Sequence, residues 1–135
     1  MSHVSAHKMS EALRQAGLLL AEFGFIEPPP DGFAYPHSGH PTFPVAEVPL
    51  ASVALGFERA QTVPHFSRER ALSVLQALQQ KARLPPVNVY LRSVPGNGAE
   101  QYELYHGYYR YHMCLAVGFT HIPVAVSPMR AESAR

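Results

Sequence analysis

Six of the thirteen prolines in this 135-residue chain fall between residues 27 and 44: Pro28, Pro29, Pro30, Pro36, Pro41 and Pro44, with Gly32 and Gly39 among them. Each proline fixes φ and removes a backbone donor, so the segment can be neither helix nor interior strand. The composition predicts a loop or an extended wrap. An irregular stretch of this length in a small protein is functional or loosely ordered. Phe33, Tyr35 and Phe43 give it apolar anchors, so part of it is expected to be pinned onto the body of the protein. The segment divides the chain into an N-terminal helix and Pro-rich linker, residues 1–43, and a domain, residues 44–135.

The composition, 47% hydrophobic and 16% charged, suits one small folded domain and excludes wholesale disorder. No apolar run approaches the roughly 18 residues of a membrane-spanning helix. The longest, Ala16 to Ala21, is interrupted by Gly17 and bordered by Gln15 and Glu22. The first residues are polar and lack a charged head and cleavage site, so no signal peptide is expected and a cytoplasmic location follows by default. Eleven Lys and Arg against ten Asp and Glu leave a formal charge of +1. That is too little for gripping duplex DNA by bulk charge, although a local phosphate site remains compatible with it. A single cysteine, Cys114, excludes an internal disulfide.

Hydrophobic periodicity places the elements. Residues from about Ser10 to Phe23 read as a helix with Leu13, Leu20 and Phe23 on one stripe and Gly24 at its end. Val45 to Val53 reads as a short strand ending in a turn, with Leu50 and Val53 as core contacts. Ser67 is placed to cap a helix running to about Lys81, in which Ala71, Leu75, Leu78 and Ala82 recur at helical spacing. Val87, Val89 and Leu91 alternate with Asn88, Tyr90 and Arg92, the turn residues Pro95-Gly96-Asn97-Gly98 follow, and Gln101 to His106 alternates again; the two strands read as a hairpin. After Gly107 the period changes from two to nearly four. Tyr108, Tyr111 or His112, Leu115 and Ala116 suit a short helix stopped by Gly118, and Ile122 to Val126 is a last strand. The succession is that of an α+β domain, a small mixed sheet with helices, preceded by a helical extension.

Five of the seven tyrosines (Tyr102, Tyr105, Tyr108, Tyr109 and Tyr111) crowd around the strand-to-helix junction His106-Gly107-Tyr108-Tyr109-Arg110. A glycine there lets the backbone turn tightly, the first helical turn offers N–H groups without intrahelical partners, and Arg110 adds a fixed cationic fork. Together these make an anion site, with His106 as a polar neighbour. Tyr105, Tyr108 and Tyr109 cannot all face inward, so at least one is expected at the mouth, where a phenol can stack on a base. Arg59, Arg68 and Arg70 are candidates for a second phosphate contact. The histidine pairs His37/His40 and His106/His112 lack zinc-site spacing, and no metal site is assigned to them.

The stretches Leu84 to Arg92 and Gln101 to Val126 resemble the ParB/sulfiredoxin superfamily, whose pattern runs proline, strand, hairpin strand, G-x-x-R at a helix start, Gly, then I-P-V. Gly107, Arg110, Gly118, Ile122 and Pro123 fall on it in order. Val48-Pro49-Leu50 resembles the family's opening strand, and Pro64-His65-Phe66-Ser67 with the Leu75 helix resembles the segment after its Q-P-R element. Met1 to Phe43 has no counterpart. The resemblance implies that the turn holds the phosphates of a nucleoside triphosphate, CTP or ATP, with Mg²⁺. Gly107 and Arg110 would be the phosphate-contacting pair beside the backbone N–H groups of Tyr108 and Tyr109. Sulfiredoxins place their catalytic cysteine where this chain has Tyr108, so sulfinic-acid reduction is not expected. Partition proteins carry a second Arg where this chain has Tyr109 and Tyr111, and a following helix-turn-helix for which nine residues after Val126 leave no room. DNA binding by this polypeptide alone is not expected. The serine-kinase members use an acidic base, for which Glu58 and Glu69 are the nearest residues. The expectation is thus a stand-alone domain binding a nucleotide or other phosphate ligand. If it is an enzyme, it would be a nucleotide phosphohydrolase, a phosphotransferase or a nuclease. The alternatives are a catalytically silent interaction module, as a homodimer or with a protein partner, and a small ParB-like nuclease.

Overall fold

A computed structural model of the chain describes residues 11–24, 33–55, 66–92 and 101–128. The expected turn at 95–98, together with Glu58 and Arg59, lies outside the described residues.

Helix α1 spans Glu11–Phe23, and Gly24 closes it by donating its N–H to the Leu20 carbonyl at 3.0 Å. The buried line is Ala12, Ala16 and Leu19 rather than the expected Leu13, Leu20 and Phe23. Small alanines let α1 lie close against two later helices, while Leu20 and Phe23 pack partly buried at the flank. Among the described residues, no helix is long and apolar enough to cross a membrane.

The expected strand over Val45 to Val53 is two strands. β1 is Val45–Pro49, a 3-10 turn occupies Leu50–Ser52, and β2 is Val53–Leu55. Pro49 ends the first run, and the Ser52 hydroxyl donates back to the Pro49 carbonyl at 2.7 Å to close the turn. Leu50 and Val53 are buried, as the periodicity required. α2 is Arg68–Gln79, capped by Ser67, whose hydroxyl accepts the Arg70 N–H. It stops before Ala82, which is exposed. Lys81 adopts a left-handed φ of 57°, and its N–H and that of Ala82 turn back to the carbonyls of Leu78 and Ala77, a Schellman-type ending.

β3 (Val87–Leu91) and β4 (Tyr102–His106) form the hairpin pair, α3 is Tyr108–Val117, and β5 is His121–Ser127. The sheet order is β1-β5-β3-β4-β2, with β3 parallel to β5, β2 parallel to β4, and the other pairs antiparallel. Val87, Val89, Leu104, Ile122 and Val124 supply the sheet's core side, and Leu75, Met113 and Cys114 supply the helices' side. Gly118 ends α3 at φ 113°, where a side chain would be strained.

The described part of the Pro-rich segment, residues 33–44, wraps this body. Ser38 N–H donates to the Leu84 carbonyl at 3.0 Å and Leu84 N–H to the Pro36 carbonyl at 3.1 Å, around an isolated parallel bridge at His37 and Leu84. Tyr35 is buried, Phe43 is half-buried, and Phe33 stays partly exposed while stacking on His121 at 4.2 Å. His40 Nδ1 accepts the N–H groups of Thr42 and Phe43, each at 3.0 Å, which closes the wrap's last turn.

Candidate functional site

β4 delivers the site. Asn88 pairs with His106 and Val89 with Leu104, so Tyr105 is an extra residue in the ladder. Such a bulge bends the strand end and re-aims the residues that follow. His106 is left exposed at the end of β4, and Gly107 follows at φ 109° as the N-cap of α3. Here glycine is required twice. The left-handed φ strains any side chain, and a Cβ would lie 2.6 Å from Val87 Cγ1 and 2.7 Å from Val87 Cβ. Unlike Ser67 at α2, Gly107 offers the first turn of α3 no side-chain acceptor; its carbonyl accepts only onward, from Tyr111 N–H at 2.9 Å. The first-turn N–H groups of a helix have no intrahelical acceptor and carry the positive end of its dipole.

In front of this turn is a cavity of about 320 Å³ lined by Arg70, Val74, Leu84, His106, Gly107, Tyr108, Tyr109 and Arg110. The five consecutive residues His106 to Arg110 line it together, joined by Arg70 from α2. Tyr108 turns inward, buried against His112 at 4.5 Å and edge-on to Tyr109 at 5.1 Å. Tyr109 is the half-buried phenol at the wall. Its ring packs against Phe66, and its oxygen accepts the Ser67 N–H at 2.8 Å, keeping its own proton to donate. Tyr105 is elsewhere, stacked on Tyr90 at 4.2 Å. Arg110 donates from Nη1 to the Pro85 carbonyl at 3.2 Å.

Of the three arginines considered as a second contact, Arg70 lines the cavity, Arg68 is engaged by Glu22 through a two-point pair at 2.7 and 3.0 Å, and Arg59 lies outside the described residues. Val74 and Leu84, which complete the lining, were not singled out in the sequence. Leu84 had a signal, since it stands before the rigid Pro85-Pro86 pair. Val74 had none beyond its place on the α2 flank. Glu69, one of the two acids considered as a base, is exposed on α2 and does not line the cavity.

Two further chemistry-bearing side chains, Cys114 and His112, are buried in the core of the fold. Cys114 is fully buried, and burial pushes its thiol up, so it is no nucleophile at neutral pH. His112 is buried with Nδ1–H donating to the Tyr108 carbonyl at 3.0 Å, and burial lowers its proton affinity below the ordinary value. Among the described residues, no group of three or more His, Cys, Asp or Glu side chains is arranged to hold a metal ion.

The curled α+β sheet, with a glycine-led turn from β4 into α3, has counterparts among solved structures. Sulfiredoxin from Arabidopsis thaliana matches with a TM-score of 0.51 at 18% identity, over 67% of this chain and 92% of that one. The C-terminally truncated chromosome-partitioning protein ParB from Caulobacter crescentus, complexed with CTP-gamma-S, matches with a TM-score of 0.51 at 18% identity, over 66% of this chain and 47% of that one. The chain has a ParB/sulfiredoxin-like fold with an added N-terminal helix, as the sequence resemblance implied. No protein-family model matches the chain, and no curated protein matches it in sequence.

Proposed function

We propose that the turn from Gly107 to Arg110 binds a nucleotide or another phosphate ligand. The observation that carries this reading is the convergence, in one cavity, of the Gly107 turn with arginines from two different helices, Arg110 and Arg70. Among the described residues lining the cavity, none is acidic, so the local field favours an anion. Val74, Leu84 and the Tyr109 ring supply an apolar wall for a base or another uncharged ligand portion. The ParB structure of the same fold holds CTP-gamma-S, which supports CTP as the first ligand to try, with ATP next. Gly107 would seat the phosphate against backbone N–H groups, Arg110 and Arg70 would fork onto its oxygens, and His106 would stand beside them. Mg²⁺ would arrive on the phosphates, supplying charge neutralisation.

The test is thermal unfolding with CTP, ATP, GTP and inorganic phosphate, each with and without Mg²⁺. A ligand at a hundred times its Kd stabilises the native state by about 2.7 kcal/mol, a rise of several degrees in Tm. At least one member of the panel is expected to produce it in the wild type and not in Arg110→Ala. No shift with any of them, or a full response in Arg110→Ala, overturns the reading. Release of nucleoside diphosphate or nicking of a plasmid would then separate an enzyme from a binding protein.

A further inference from the structure

The wrap reaches the candidate site. Tyr35 is 1% exposed, and its hydroxyl donates to the Pro85 carbonyl at 2.6 Å. Arg110 donates to that same oxygen at 3.2 Å. A carbonyl oxygen has two lone pairs and accepts both, but the two bonds are unequal, the phenol's short and the guanidinium's at the long limit. The oxygen itself is held in place. Leu84, immediately before it, has both its N–H and its carbonyl bonded to the wrap, and Pro86, immediately after it, is fully buried. Burial raises the Tyr35 phenol above its ordinary proton affinity, so it stays a donor at any physiological pH.

The geometry points to Tyr35 as a positioning residue of the phosphate site: by occupying the Pro85 carbonyl, its hydroxyl sets how firmly Arg110 is retained at the cavity wall and how readily it turns to a ligand. While the phenol satisfies the carbonyl, Arg110 rests there by a long bond that it gives up easily for a shorter, charge-assisted fork onto phosphate. Without the hydroxyl, the carbonyl keeps only Arg110 as a donor among the described residues. Relieved of the phenol, the oxygen is the stronger acceptor for Arg110 even at this water-exposed edge, so it would hold the guanidinium back from the ligand. The ligand side of this inference rests on the phosphate reading above. It adds a residue from the segment before residue 44, which has no counterpart in the resemblance.

Tyr35→Phe keeps the ring in the core and removes one oxygen. The first readout needs no ligand: the rate at which phenylglyoxal modifies Arg110, followed by peptide mass and normalised to Arg14 on α1. This rate is expected to fall about twofold, because a bond already present is strengthened rather than a new one made. The second is the Kd for inorganic phosphate and for CTP, expected to weaken by the same factor while the unfolding transition stays cooperative. An unchanged Arg110 rate in a folded variant overturns the inference whatever the ligands do. A slower rate, with none of CTP, ATP, GTP and inorganic phosphate bound by either protein, upholds the positioning of Arg110 and overturns the phosphate reading alone. Should Tyr35→Phe not fold, 3,5-difluorotyrosine at position 35, a stronger donor of the same shape, gives the opposite sign. Faster modification supports the inference and an unchanged rate overturns it.

Discussion

At the scale of single residues, Gly107 joins folding to the site most tightly. It combines a left-handed φ with an approach to Val87 in which an added Cβ meets the Cβ and Cα of a fully buried neighbour. Neither can swing aside as the end of a long side chain would. Gly107→Ala is expected to lose about 2–5 kcal/mol of stability, summing left-handed strain and overpacking. Urea unfolding measures this, and a loss below about 1 kcal/mol would mean that the turn relaxes. The turn at Gly107 was legible in the sequence because the apolar period changes from two to nearly four at this point. The contact with Val87 was not, because twenty residues separate the two and only the sheet brings them together. The same holds for Tyr35, which the sequence marks as an anchor without saying that its hydroxyl reaches the carbonyl bonded by Arg110.

At the scale of elements, α1 is held by two kinds of contact that differ in worth. Glu22 and Arg68 make a two-point ion pair between α1 and the start of α2, but both side chains are about three-fifths exposed to water. Leu19, 4% exposed, enters the common core. Arg68→Ala is therefore expected to cost no more than about 1 kcal/mol, against about 2–4 kcal/mol for Leu19→Ala. Thermal unfolding of the two variants decides this, and a larger loss from Arg68→Ala would reverse the ranking. The helices were the legible elements, since Ser67, Gly24 and Gly118 act locally and sit where the pattern ends. The first strand was not. Val45 to Val53 alternates as one run, and its division at Pro49 into two strands with different partners depends on long-range pairing that no local period contains.

At the scale of the whole molecule, one core takes in Ala16 and Leu19 from α1, Tyr35 from the wrap, and the strands and helices that follow. His112 belongs to this buried mass, with its proton affinity held below the ordinary value by burial, the Tyr108 carbonyl opposing the effect. The unfolded chain then takes up a proton at His112 first, near pH 6.5. Stability from this group is present above that pH and is lost as the pH falls through it, until the lower folded value is reached. Between pH 7.5 and 5.5 the wild type is expected to weaken with a contribution from this group no steeper than about 1.4 kcal/mol per pH unit, and His112→Gln to show a shallower fall. Parallel curves for the two proteins would remove His112 as the cause. The overall architecture was legible from element order and from the I-P-V and G-x-x-R spacing, whereas the merging of the extension into the core was not, because small alanines give a weak hydrophobic signal. The short link from Pro49 to Val53 has a consequence for shape. In a flat five-stranded sheet, β1 and β2 would lie about 19 Å apart, four strand spacings. Four residue steps reach at most about 14 Å, and the link is also bonded to the starts of β5 and β4, through Leu50 N–H to the Thr120 carbonyl and Gln101 N–H to the Ser52 carbonyl. The sheet must therefore roll until its two margins approach, like a strip stapled near its open ends, and neither margin extends as a long flat template for another chain.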